Sequence, residues 1–124
     1  MIFTSELVVS IHTRIIQTSG GSKGIRDFGL LDSSVQSIYQ TFDGKELYST
    51  TIEKGARLCF SLNSNHAFID GNKRIAMHML AVFLRFHDVS YKPVNAEVIR
   101  VGFSVASGEM SYELLLDWVK ANTK

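Results

Sequence analysis

Residues 72–86 read Asn-Lys-Arg-Ile-Ala-Met-His-Met-Leu-Ala-Val-Phe-Leu-Arg-Phe. Past the two cations of its first turn the run is apolar nearly all round, and a helix with so little polar face belongs at the centre of a bundle. It is therefore expected to be the buried hub of the fold. Upstream, Thr50 and Glu53 have the spacing of a capping box and open a helix carrying Ile52, Ala56, Cys59 and Asn63 on one face, ending near Ser64. Residues 65–71 between these two helices are expected to be a loop.

The remaining segments supply the partners. Thr4 is the N-cap expected for a first helix with Leu7, Val8, Ile11 and Ile15 on one face, which runs out at Gly20-Gly21. Residues 20–29 read as a loop that closes over the bundle. A short second helix is expected to begin at Asp32 or Ser33, with Ser33 and Gln36 at capping-box spacing and Val35 and Ile38 facing inward. Asp43-Gly44, between Phe42 and Tyr48, has the chemistry of a tight reversal and predicts a small β-hairpin flap. Beyond the only proline, Pro93, Asn95 is expected to cap a helix presenting Val98, Val101 and Val105. Ser111 is expected to cap a last one presenting Leu114, Leu115, Trp118 and Val119. The fold class expected is all-α, a bundle of about six helices around a central buried one, with residues 1–124 forming a single domain.

Composition narrows the function. Of 124 residues, 45% are hydrophobic and 20% charged, enough apolar material for a packed core. Thirteen Lys and Arg against 12 Asp and Glu leave a formal charge of +1, far from the basic balance of a nucleic-acid module, so no direct nucleic-acid partner is expected. A single cysteine, Cys59, cannot form an internal disulfide and reads as an inert core residue. No stretch of about 20 apolar residues offers a membrane span. A soluble, cytoplasmic protein is expected.

The chemistry is concentrated in residues 66–74, His-Ala-Phe-Ile-Asp-Gly-Asn-Lys-Arg. A loop entering a helix through glycine leaves unpaired N–H groups and a partial positive charge, which suits an anion. Lys73 and Arg74 add cationic charge where the helix dipole disfavours it, so an anionic ligand explains them better than a solvated first turn. Asp70 is the one carboxylate in the segment and suits a magnesium ion beside phosphates, although a helix-capping role is the plain alternative. His66 can accept a proton from a hydroxyl. Outside the segment, His12, His78 and His87 lack partners at metal-ligand spacing and read as ordinary packed or surface residues.

This nine-residue run resembles the signature of the Fic/Doc superfamily: His, any, Phe, any, Asp/Glu, Gly/Ala, Asn, Gly/Lys, Arg. Gly20-Gly21, Gly24-Ile25-Arg26-Asp27, Leu30-Leu31-Asp32, the 42–48 flap and Phe83-Leu84 extend the likeness to the death-on-curing (Doc) branch. The resemblance implies that His66 is the general base, that Phe68 anchors the loop in the core, and that Asp70 holds Mg2+ on the phosphates of ATP. It implies phosphate contacts from the Gly71-Asn72 backbone, the Asn72 side chain, Lys73 and Arg74. It also implies a flap, Phe42, Asp43, Gly44, Lys45, Glu46 and Leu47, that holds the target by strand addition. Lys73, where adenylyl-transferring relatives carry glycine, and Met77, where they carry arginine, imply the inverted nucleotide of the kinase-like branch. The function implied is transfer of the γ-phosphate of ATP to a Thr or Ser hydroxyl of a protein, with translation elongation factor Tu as first candidate. AMP transfer (AMPylation) and a catalytically silent binding module are the alternatives. No glutamate is followed by Gly or Asn, as the self-restraining helix of Fic proteins requires, so a separate antitoxin that folds on binding is the implied partner.

Overall fold

The computed structural model describes residues 3–124, and among them it is an all-α bundle with one small hairpin. The helices are α1 (Ser5–Ser19), α2 (Phe28–Gln36), α3 (Thr51–Asn65), α4 (Asn72–Phe86), α5 (Asn95–Ala106) and α6 (Tyr112–Ala121). A turn of 3-10 helix, Ser37–Tyr39, follows α2 and leads into β1 (Thr41–Phe42) and β2 (Lys45–Glu46). The two strands are antiparallel, with Phe42 opposite Lys45. Asp43 and Gly44 turn between them at φ 54° and 77°, the left-handed pair that a two-residue reversal matching strand twist needs.

α4 is the hub, as its apolar circumference requires. Ile75, Ala76, Met77, Met79, Leu80, Phe83 and Leu84 are all buried, and α4 packs against α1, α3 and α5. α3 lies closest along it, and the reason is Gly55, where a Cβ would come within 3.1 Å of Leu84 and 3.2 Å of Phe83. Cys59 is buried in this seam with its Sγ 3.6 Å from Met77 Sδ. Burial pushes its thiol up to about 12, which keeps it protonated and inert at neutral pH.

Most helix starts lie where their caps predict. Thr4 accepts from Leu7 N–H, the Thr50–Glu53 capping box is complete, and Ser111 accepts from Leu114 N–H. Two starts differ. α2 begins at Phe28 with Asp27 as N-cap, five residues before Ser33, which lies inside the helix; the Asp27 carboxylate takes Leu30 N–H at 3.0 Å. The loop therefore ends at Asp27 rather than Gly29. α5 is entered from Val94 with no side-chain cap, and Asn95 is its first residue. Of the apolar face expected on α6, Leu115 and Val119 are buried, whereas Leu114 is 54% exposed.

Candidate functional site

α3 ends because His66 takes the left-handed conformation, φ 50° and ψ 51°. A non-glycine residue there costs about 1–2 kcal/mol, so neighbouring contacts must hold it. Arg26 does so: its Nε donates to the His66 carbonyl at 2.7 Å and its Nη2 to the Asn65 carbonyl at 3.0 Å. A guanidinium on the last carbonyls of α3 also opposes the negative end of the helix dipole.

The next three residues are clamped from two sides. Residues 24–27 lie alongside them as a short antiparallel bridge between Ile25 and Phe68. Ala67 O receives the N–H groups of Arg26 and Asp27, and Ile69 N–H donates to Gly24 O. From the other side, the Asn72 amide grips Phe68 twice, accepting its N–H and donating to its C=O, each at 3.0 Å. Inside, the Phe68 ring is 2% exposed and lies face to face with the His12 imidazole, centroids 3.8 Å apart and planes 10° from parallel. Phe68 is thus seated in the core beneath the loop.

Gly71, at φ 77°, is the N-cap of α4 and provides no side-chain acceptor for the first N–H groups of that helix. Asp70 beside it accepts Gly71 N–H at 2.7 Å and Ser22 N–H at 3.0 Å, with Arg74 Nη2 3.7 Å away. These contacts, the Ser22 N–H foremost, hold the Asp70 carboxyl below the usual carboxylate range, so it is charged throughout the neutral range. Arg74 Nη1 reaches back to Ser19 Oγ and Gly20 O, both at 2.7 Å. The Gly20–Ser22 strap is close enough that a Cβ on Gly21 would come within 2.6 Å of the Asp70 carboxylate.

His66, Phe68, Asp70, Gly71, Asn72 and Arg74 therefore fall into one cluster at the junction of α3, α4 and the strap. The Asn72 side chain is committed to the loop, leaving its backbone N–H toward the helix end. The Lys73 ammonium lies over the Phe103 ring of α5, 4.9 Å from its centroid, and pairs with no carboxylate among the described residues. The flap is a separate feature. Phe42 and Leu47 are 75% and 49% exposed, and Lys54 on α3 ties the flap down through Glu46 at 3.1 Å. A groove of about 480 Å³ between α1, α4 and α5 is lined by Ile15, Met77, Ala81, Val98 and Phe103 and meets the cluster only at Lys73 and Arg74. Neither His66 nor Asp70 lines it.

His66 Nε2 is covered and has no hydrogen-bond partner among the described residues. A covered ring nitrogen without a partner is costly, and its lone pair can accept a hydrogen bond or a proton from a group brought to it. Three residues that shape the site were not singled out as such from sequence: Arg26, Ser22 and His12. Each acts across 40 or more residues of chain, and only the glycines around the first two hinted at close backbone contact.

Among the described residues no group of three or more His, Cys, Asp or Glu side chains could hold a metal by itself. The donor set nonetheless suits one magnesium ion carried by phosphates, which ordinarily takes only one or two protein carboxylates. Each Asp70 oxygen accepts a single N–H and retains lone-pair capacity. Among the described residues no helix is long and apolar enough to cross a membrane.

Comparison with known proteins agrees with this geometry. "Toxin Doc" of Mycolicibacterium smegmatis is 41% identical to this chain over 70 residues, 56% of this chain and 54% of that protein, so the match spans about half the length of the relative. The Fic/DOC family model matches residues 2–84, which include α1 to α3, the whole cluster and most of α4. The chain belongs to the Fic/DOC family.

Proposed function

We propose that the protein is a Doc-like toxin that transfers the γ-phosphate of ATP to a Thr or Ser hydroxyl of a protein, with translation elongation factor Tu as the first target to test. The observation that carries this reading is the unpartnered His66 Nε2, on the loop that leads into the N-terminus of α4, which has no side-chain cap. Family membership and the relative named Toxin Doc support a protein-modifying transferase held in check by a separate antitoxin.

In this mechanism the target hydroxyl donates its proton to His66 Nε2 as its oxygen forms a bond to the γ-phosphorus. The bond from that phosphorus to the bridging oxygen breaks, and ADP leaves with the electron pair. The N–H groups at the start of α4, with Arg74, hold phosphate oxygens that carry the developing charge. Asp70 would hold Mg2+, which offsets phosphate charge when bound. Arg74 has to exchange its Ser19 and Gly20 partners for phosphate, a swap its flexible stem allows. The exposed flap offers backbone for the target segment.

Intact-mass analysis of elongation factor Tu after incubation with protein, magnesium and ATP tests the reading. A phosphate mass is expected; an AMP mass would instead assign adenylyl transfer, and no mass change a silent module. Lys73 is the residue expected to set that choice. Lys73→Gly should lose phosphoryl transfer, because Lys73 stands in the first turn of α4 and its ammonium, paired with no carboxylate among the described residues, is available to phosphate oxygens. Equal AMP addition by wild type and Lys73→Gly would remove Lys73 from that role.

Asp70→Asn is expected to move the magnesium titration of activity up by more than about tenfold, since an amide binds a hard cation poorly. It should also loosen the strap, because one of the two N–H donors on Asp70 then faces an NH2 group. An unshifted titration would show that Asp70 is not the cation ligand.

A further inference from the structure

We propose that His12, on α1, is a positioning residue of the site, setting the Asp70 carboxylate through the 70–71 peptide. The inference rests on the reading of Asp70 as cation ligand and adds a residue 58 positions away that controls it.

His12 is 2% exposed, and its Nε2 lies 2.7 Å from the Asp70 carbonyl oxygen. A carbonyl only accepts, so Nε2 carries the hydrogen and donates. The peptide unit is planar and trans, so fixing the direction of the Asp70 C=O fixes the Gly71 N–H on the opposite side. That N–H is the 2.7 Å donor to Asp70 Oδ1. The chain of contacts therefore runs from the His12 ring to the carbonyl, through one peptide plane, to the carboxylate. Close packing leaves the plane little freedom. A Cβ on Gly71 would meet Ile16 at 3.2 Å and His12 Nε2 at 3.4 Å, so α1 leaves no room for a side chain at this position.

Packing alone does not call for a histidine here. The face-to-face contact with Phe68 could be made by any flat apolar ring. The donor is what the imidazole adds, and without it the part-buried Asp70 carbonyl loses that hydrogen bond. Groups that orient metal-binding side chains typically change metal affinity by about 10- to 100-fold when removed.

Two substitutions separate donor from ring. His12→Phe keeps the stack on Phe68 and removes the N–H; His12→Gln keeps an N–H near the same place and gives up the ring. Amide hydrogen exchange is followed by NMR in the magnesium-free protein, and the magnesium titration of phosphate transfer is measured alongside. In His12→Phe the Gly71 and Ser22 amides are expected to exchange about tenfold faster while the Leu80 and Leu84 amides of α4 keep wild-type rates, and half-saturation by magnesium should rise about tenfold. His12→Gln should restore both toward wild type. His12→Leu, which also lacks the donor, serves if His12→Phe does not fold. Unchanged exchange at Gly71, or acceleration in step with Leu80 and Leu84, would overturn the proposal by making His12 a packing residue only. Localised acceleration in a protein whose wild type transfers nothing would support the positioning role and reject the transferase reading, so the two fail separately.

Discussion

His66→Ala is expected to slow phosphate transfer by about 100- to 10,000-fold while the protein melts within a few degrees of wild type. The activity loss follows from the role: no other imidazole or carboxylate in the cluster lacks a hydrogen-bond partner among the described residues. Asp70 is occupied by two N–H groups, and His12 spends its Nε2–H on a carbonyl. The small stability effect follows from the geometry. Nε2 of His66 is covered and unpartnered, so removing it also removes a desolvation cost, which offsets part of the lost packing. What holds the loop at this point is backbone: the His66 and Asn65 carbonyls on Arg26, which alanine retains. His66→Gly sharpens the test, because it deletes the same imidazole and relaxes the left-handed backbone at φ 50°. It should be as inactive as His66→Ala and more stable by about 1 kcal/mol. Transfer by His66→Ala within about threefold of wild type, measured as phosphate mass per unit time on the target, would mean that another group takes the proton.

The signals that were legible in the sequence are local ones. α4 needs no partner to be recognised as central, because its circumference is apolar, and the caps of α1, α3 and α6 act over three residues. The Asp43-Gly44 reversal is equally local. α2 shows where locality stops. Asp27 and Asp32 are both competent caps, and Gly29 in the first turn argues against the earlier start. The choice of Asp27 is made by residues 24–27 pairing with 67–69, a contact about 40 residues away in sequence. The site divides the same way. The motif 66–74 is contiguous and could be read directly, whereas the groups that hold it in shape come from α1 and the strap. Nothing in the periodicity of α1 says that His12, one of three apparently ordinary histidines, meets the one carbonyl next to the motif carboxylate. Even within the motif, the Asn72 amide is spent on Phe68 rather than left for a ligand, which only the folded loop reveals.

Phe68→Ala is expected to be the most destabilising single change in the motif, by about 3–5 kcal/mol. The ring is 2% exposed, so little of the cavity can be filled by water, and its loss removes both transferred area and the stack on His12, the latter worth about 0.5–1.5 kcal/mol. For a chain of this length such a loss lowers the melting temperature by roughly 10–20 °C. Its effect on the site should differ in kind from that of His66→Ala. The backbone of residue 68 keeps its Asn72 clamp and its bridge to Ile25, so the loop stays attached at its ends while its underside opens beneath Asp70. Activity should therefore fall with temperature, recovering in part when assayed well below the new midpoint, whereas no temperature rescues a missing base. Phe68→Leu, which keeps most of the volume, should cost less than half as much. The coupling between Phe68 and His12 gives the sharpest check. With the two rings in contact, the double variant Phe68→Ala, His12→Gln, in which both rings of the stack are gone, should deviate from additivity by about 0.5 kcal/mol or more, while Phe68→Ala combined with a change on the flap should be additive. A wild-type melting curve for Phe68→Ala, or strict additivity with His12→Gln, would show that the ring does not anchor the loop.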